Sequence, residues 1–368
     1  MIRPKLVIDE EIPFLAEVLD MYADVHCLRG SSIDRRHLEG VQGLVVRTRT
    51  QCTPALLDGS GIGFLGTATV GVDHIDMDYC RRSNIRVVSA AGCNASAVVQ
   101  YVLTAILSLC VRHRKRLDNL TLGIIGAGNV GGRLGQAAQA LGMRVLLHDP
   151  PRALREGNSG FVPLDNLLHL SDVISLHVPL DEDTHHLADV LFFDRLSRTP
   201  IFINTSRGEV VDEAALLRFA PKMSGIVLDV WEQEPMILKT TLDTTTIATP
   251  HIAGYSVEGK QKASVKMIRE LADFFGWKEL KNFSLPPLPT KRITFCDHPK
   301  VKEDALCWLF DKIFPIFEED FRLRLAPERF ESFRSHYPYR RENSGYRVKG
   351  AEAAYKDALQ ALGFGYLK

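Results

Sequence analysis

The sequence predicts an α/β protein with two parallel-sheet lobes in tandem and a smaller C-terminal tail. Three observations predict it. Short apolar runs alternate with helical patterns up to about residue 280, as strand–helix–strand units do. A glycine cluster at 126–131 sits between one such run and a helical pattern. The stretch SLPPLP at 284–289 breaks all periodicity before the last eighty or so residues. At 368 residues the chain is also too long for one core, so two or three domains are expected.

In order, the first lobe contributes the runs KLVID (5–9), GLVVRT (43–48), GFLGTAT (63–69) and RVVSA (86–90). The segment 94–117 is apolar nearly all round and then turns basic, RHRKR. It reads as a buried helix carrying the chain into the second lobe, with cations at its C-terminal end. The second lobe contributes LGII, RVLLHD, DVISLHV, IFINTS, GIVLDV and TIATP, between residues 122 and 250. A helical pattern over 256–275 returns to pack on the first lobe. The expected division is 1–93 with 256–284, then 94–255, then a tail of 285–368. The tail is richer in Arg, Phe and Tyr and carries no motif that stands alone.

Composition excludes several classes of function. Lys plus Arg equals Asp plus Glu at 45 each, so no net field points to nucleic acid or an acidic membrane surface. Seven cysteines are scattered without metal spacing, as expected of reduced thiols in a cytoplasm. No run reaches the roughly 18 apolar residues of a membrane span, and the N-terminus lacks a signal-peptide core. A cytoplasmic protein without a metal site is expected.

Gly126, Gly128 and Gly131 fit G-x-G-x-x-G, with Asn129 and Val130 between them, after a strand and before a helix. Asp149 closes the next strand, 18 residues after Gly131. This context is that of a dinucleotide-binding turn. Gly126 permits the tight turn, Gly128 admits a pyrophosphate, Gly131 lets the helix pack close to the sheet, and the helix N-terminus faces the phosphates. Asp149 suits the ribose hydroxyls and would repel a 2′-phosphate, which favours NAD over NADP. Arg152, nearby, weakens that preference.

Three later phrases set polar residues just past apolar runs: INTSRGEVVDEAAL, IVLDVWEQEP and IATPHIAGYS. Singly, Arg207, Glu234 and His251 are unremarked residues. Together they suit hydride transfer from an alcohol. A histidine takes the hydroxyl proton, a carboxylate orients its ring, and an arginine grips a substrate carboxylate.

With these motifs in this order the chain resembles the D-isomer-specific 2-hydroxyacid dehydrogenases over roughly residues 1–280. The resemblance implies a doubly wound Rossmann-type NAD lobe, a doubly wound flavodoxin-like substrate lobe, and a smaller α/β C-terminal dimerisation domain. It implies Arg207, Glu234 and His251 as the catalytic trio, with His251 the acid/base. NAD would touch the glycine turn, Asp149, Val178, Thr205, Ser206, Arg207, Asp229 and Gly254. Val178 stands where a threonine is expected, leaving only a backbone contact there. Substrate would touch Thr48, Thr69 and Tyr255. The phrases GTATVGVDHID, AAGCNASAVVQYV and HDPPR narrow the resemblance to a branch acting on a small acid with carboxylate at one end and phosphate at the other.

For that phosphate, Arg47 in VVRTRTQ is a candidate, Arg49 an equally good solvated edge residue, and Arg340 or Arg341 of a partner's tail a further possibility. His74, His148, His177, His185 and His186 lack partners at metal spacing, and Asp212 is expected to cap a helix. Two rivals stay open: a sibling dehydrogenase acting on phosphoglycerate or glyoxylate, and a non-catalytic NAD-sensing dimer.

Overall fold

The computed structural model of the chain describes residues 3–295, 301–352 and 355–367. Two compact units are present: Met1–Asn94 with Val257–Leu288, and Ala95–Ser256 with Pro289–Lys368.

The first unit is built on β1 (Lys5–Asp9), β2 (Asp24–Leu28), β3 (Gly43–Val46), β4 (Phe64–Thr67) and β5 (Arg86–Ser89), all parallel in the order β2-β1-β3-β4-β5. That is the flavodoxin-like order 2-1-3-4-5. Strand β2, DVHCL, is an edge strand with mostly exposed residues, so no apolar run announces it. The inner strands are buried on both faces. Leu6, Ile8, Val45 and Phe64 pack with Met267, Ile268 and Leu271 of the helix Val257–Phe275. Val7, Leu44, Val46 and Leu65 pack with Leu38, Leu56 and Cys80 on the other face. Arg86 ties the returning helix down through Glu270 and Asp273, at 2.7 and 2.9 Å.

The second unit contains β6 (Thr121–Ile125), β7 (Arg144–His148), β8 (Val173–Leu176), β9 (Ile201–Asn204), β10 (Gly225–Leu228) and β11 (Ile247–Ala248). They form a parallel sheet in the order β11-β10-β9-β8-β6-β7. The doubly wound dinucleotide order 3-2-1-4-5-6 would place one more strand beyond β7. Here that edge keeps a single main-chain bond, Val162 N–H to Leu147 O at 2.8 Å. The order reverses between β6 and β8, and such a switch point is where open α/β sheets bind ligands.

The helix Ala95–His113 runs through this unit's core. One of its 18-residue windows has mean hydropathy 1.6, enough in length and composition to cross a membrane, and 78% of that window is buried in the fold. The expectation that no such segment exists is corrected. Ser96, Gln100, Thr104 and Ser108 interrupt the apolar run without lowering its average far.

The tail adds a third parallel sheet, β12 (Lys291–Thr294), β13 (Tyr346–Lys349) and β14 (Gly365–Leu367), in the order β12-β13-β14. Its helix Lys302–Ile313 buries Leu306, Leu309 and Phe310 in one core with Leu103, Ile106 and Leu107 of Ala95–His113. The tail thus shares one core with the nucleotide part.

Candidate active site

Because β6 to β11 are parallel, every loop that follows one opens on the same sheet edge. Gly126 follows β6, Val178 follows β8, Thr205–Arg207 follow β9, Asp229 follows β10 and His251 follows β11. The candidate residues of this unit are thereby gathered along one line.

The glycine turn shows why it needs glycines. Gly126 has φ +86°, and a Cβ there would lie 2.5 Å from the His177 carbonyl oxygen. A Cβ on Gly131 would collide with the Gly126 carbonyl, so only glycine lets the helix Gly131–Ala140 start so close to the strand. Gly128 meets nothing within 4 Å, which leaves its backbone open to another molecule. Asp149 accepts from Ala127 N–H at 2.8 Å through Oδ2 and from Arg152 N–H at 2.9 Å through Oδ1. It therefore braces the turn and caps the helix Pro150–Glu156 at once, a double duty the spacing alone does not reveal. Arg152 donates to both Glu156 oxygens, at 2.9 and 2.6 Å, and to the Ala127 carbonyl. A guanidinium so engaged offers little to a 2′-phosphate, and its expected weakening of the NAD preference is corrected accordingly. The residues fit the dinucleotide in a second respect: Thr205 Oγ1 is buried without a partner among the described residues.

His177 lies in this wall with its Nε2 2.9 Å from Ser175 Oγ, and burial pushes its pKa from 6.5 down to about 3. The folded form thus takes up a proton later than the unfolded chain. Stability held above pH 6.5 is lost as pH falls toward 3. Between pH 7.5 and 5 the wild type should lose about 2 kcal/mol more than His177→Gln. Urea unfolding at the two pH values checks this, and equal losses would refute it.

The turn around Arg207 is folded by Asn204, whose Oδ1 accepts from Ser206 N–H and Oγ at 3.0 and 2.7 Å and whose Nδ2 donates to Arg207 O at 2.8 Å. A Cβ on Gly208 would collide with the Trp231 carbonyl, so this turn lies backbone to backbone on the next loop. In that loop Trp231 N–H donates to Glu234 Oε1 at 3.0 Å. Glu234 Oε2 is 2.8 Å from His251 Nδ1. Burial pushes the Glu234 carboxyl up, but the His251 charge and hydrogen bond, Arg334 and Trp231 N–H hold it below its ordinary value.

His251 has φ 57°, a left-handed conformation uncommon outside glycine. Asp229 over-determines it. The Asp229 carbonyl accepts from His251 N–H at 2.7 Å, and its carboxylate takes the Thr249 hydroxyl, Ile252 N–H and Ala253 N–H at 2.6, 2.8 and 2.9 Å. Burial raises the Asp229 pKa, against the opposing pull of His251 and these donors. Tyr101 Oη, 2.7 Å from Thr249 Oγ1, extends the network into the core helix. Asp212, as expected, caps the helix Glu213–Phe219 by accepting from Ala215 N–H at 3.0 Å.

The sequence reading missed what the tail contributes. Arg334 Nη1 lies 3.5 Å from Glu234 Oε2. Arg340 is buried and donates to Gln100 Oε1 and to the carbonyls of Ala97, Ile252, Ala253 and Tyr255 at 2.5–3.2 Å, with Phe314 beneath it at 4.2 Å. Its expected reach toward a partner's phosphate site is corrected: all three guanidinium nitrogens are used within its own chain. Arg341 donates to Pro289 O at 2.9 Å. The ring of Tyr255 meets Tyr337 and Tyr339 edge-on at 6.1 and 5.8 Å. The only sequence signal for this was the phrase YRRENSGY, which supplies Arg340 and also Glu342, 2.9 Å from Ser256 Oγ.

In the first unit Arg47 and Thr48 directly follow β3, and Thr69 lies two residues past β4, the neighbouring strand. Thr69 Oγ1 is 2.7 Å from Thr67 Oγ1, itself 3.1 Å from His74 Nε2. Arg47 pairs with the buried Asp9 at 3.1 Å and with Glu11, so an incoming phosphate would compete with two carboxylates for it.

A doubly wound sheet with this glycine turn and a carboxylate-backed histidine on one edge defines an NAD-dependent oxidoreductase. Comparison with known proteins agrees. The family model "D-isomer specific 2-hydroxyacid dehydrogenase, NAD binding domain" matches residues 108–253, and a domain of unknown function (DUF3410) matches 284–363. The D-lactate dehydrogenase of Aquifex aeolicus, solved with NAD and lactic acid, is 29% identical with a TM-score of 0.64, covering 77% of this chain and 100% of that one. The chain belongs to the D-isomer specific 2-hydroxyacid dehydrogenase family, and its cofactor is NAD. Within it, the erythronate-4-phosphate dehydrogenase of Bacteroides thetaiotaomicron is 40% identical over 353 residues, 94% of this chain and 99% of that one. The enzyme of the same name from Yersinia pestis is 39% identical over 370 residues, 98% of each chain.

Proposed function

We propose that this chain oxidises the 2-hydroxyl of 4-phospho-D-erythronate to the 2-oxo acid, 3-hydroxy-2-oxo-4-phosphobutanoate, on the way to pyridoxal phosphate. The observation that carries the chemistry is the Glu234–His251 pair, 2.8 Å apart on the edge that also bears the glycine turn. The dinucleotide supplies the hydride acceptor. With Nδ1 turned to Glu234, His251 takes the hydroxyl proton at Nε2, and Glu234 stabilises the imidazolium that forms. Arg207 holds the substrate carboxylate, and Thr48, Thr69 and Tyr255 hold the rest of the acid. Gly126, Gly128, Asn129, Val130, Gly131, Val178, Thr205 and Ser206 line the dinucleotide's path. Asp149 meets its ribose, Gly254 touches it as well, and Asp229 lies near the nicotinamide while it keeps His251 in place. Arg47 contributes to the phosphate end in so far as the substrate displaces Asp9 or Glu11 from it.

The active form proposed is a cytoplasmic homodimer that uses neither nucleic acid nor membrane. Phe317, Phe321 and Leu325 support the dimer. They recur every four residues on the helix Ile316–Leu325 and are 41, 62 and 68% exposed, a stripe that a second copy would cover. Among the described residues Cys27, Cys52, Cys80, Cys110 and Cys307 are free thiols, in keeping with a reducing compartment.

The test is NAD reduction by the purified protein with 4-phosphoerythronate, 3-phosphoglycerate and unphosphorylated erythronate side by side. A parallel assay with a 2-oxo acid acceptor detects turnover if NADH does not leave. Preference for 4-phosphoerythronate is expected. Preference for another acid would assign the chain to a sibling activity, and silence with NAD bound would favour a sensor.

A further inference from the structure

The carboxylate behind His251 is shared. Glu234 Oε1 accepts from Trp231 N–H at 3.0 Å, and Oε2 faces both His251 Nδ1 at 2.8 Å and Arg334 Nη1 at 3.5 Å. Arg334 comes from the tail helix Phe330–Ser335, roughly a hundred residues after Glu234. It is not a loose surface arginine. Its side chain is 21% exposed, and Phe330, one turn earlier, is fully buried in the core that also contains Trp231 and Ala248. The loop that holds Glu234 and the helix that presents Arg334 therefore rest on the same packed residues.

A carboxylate alone behind an imidazole makes protonation of the ring easy, because a −1 pair becomes neutral. With a guanidinium on the same oxygen the cluster starts neutral and becomes +1, so the ring keeps its proton less readily. Oxidation of an alcohol requires the histidine to begin unprotonated. We propose that Arg334 is a positioning residue for the acid–base pair, pinning Glu234 Oε2 behind His251 and offsetting its charge so that His251 meets the substrate as a neutral base. This rests on the reading of His251 as the base. The other charged groups on the segments that meet the pair are the buried Asp229, whose carbonyl accepts from His251 N–H; Arg340, which donates to the Ile252 and Ala253 carbonyls; Glu232, 2.7 Å from His186 Nε2; and Arg207, on the turn whose Gly208 abuts Trp231. Glu331 lies one turn before Arg334 on its own helix. The substitutions below leave all of them in place.

The experiment follows kcat and kcat/KM from about pH 5.5 to 9.5 for the wild type, Arg334→Met, Arg334→Gln and Arg334→Lys, with 4-phosphoerythronate and NAD. NAD affinity on the same samples verifies folding. The acidic limb of kcat/KM should move up by about one pH unit in the Met and Gln variants. It should stay within a few tenths of a unit in the Lys variant, with rates above the limb changed by less than about threefold. An acidic limb unmoved in the Met and Gln variants would overturn the proposal, even if their activity fell, because a merely structural role lowers rates without moving the limb. Failure of both variants to bind NAD would also overturn it, since Arg334 would then be scaffolding. Failure of the underlying reading looks different: His251→Asn would keep its activity.

Discussion

His251→Asn should lower kcat by about 10²- to 10⁴-fold, the usual worth of a positioned general base. NAD affinity should stay within about twofold. Asparagine is the informative replacement because it tolerates the left-handed region better than most residues, and His251 sits at φ 57°. The backbone bond to the Asp229 carbonyl can persist, so the loss reads the ring and not the turn. NADH formation under saturating substrate, alongside NAD titration, measures both quantities. A variant that kept more than about a tenth of wild-type kcat would remove His251 from the mechanism.

Gly208→Ala should be among the most damaging single methyl groups that could be added to the described residues. Its Cβ would land on the Trp231 carbonyl, with Glu232 N also inside contact distance, and neither is a flexible side chain that can swing away. The Arg207 turn and the Glu234 loop would have to separate. A cost above about 4 kcal/mol is expected, at the extreme of single substitutions, and urea unfolding with circular dichroism reads it. Gly128→Ala is the contrast. Its Cβ meets nothing within 4 Å, so unfolding should be unchanged while NAD binding weakens. A stable Gly208→Ala enzyme would mean that the two loops are not locked together.

The contrast between those glycines shows how far the sequence could be read. The glycine pattern and the strand-end positions of Arg207, Glu234 and His251 were legible because a parallel sheet turns sequence position into spatial position: whatever follows an apolar run lands on one edge. Gly208 was not singled out, because close backbone approach leaves no periodic trace. Strand β2 was illegible for lack of a buried face, and the tail strands KRIT, YRVK and GYL are too short and polar to stand out. Arg334 was passed over and Arg340 misjudged for another reason. An arginine's partners are carbonyls and carboxylates far away in sequence, and no local pattern tells a buried, satisfied guanidinium from a solvated one. Arg47 teaches the reverse: its place at a strand end was legible, its pairing with Asp9 and Glu11 was not.

Both compact units are discontinuous in the chain, and this has a consequence for synthesis. As the ribosome makes the protein, β1 to β5 are complete by Ser89, yet one face of that sheet is covered by the helix Val257–Phe275. The second unit waits longer, because the carbonyls of Ile252, Ala253 and Tyr255 are gripped by Arg340. Neither half can finish folding in the order in which it is translated. The nascent chain must carry exposed apolar surface until its last fifth emerges, which is when holding chaperones would matter most to it.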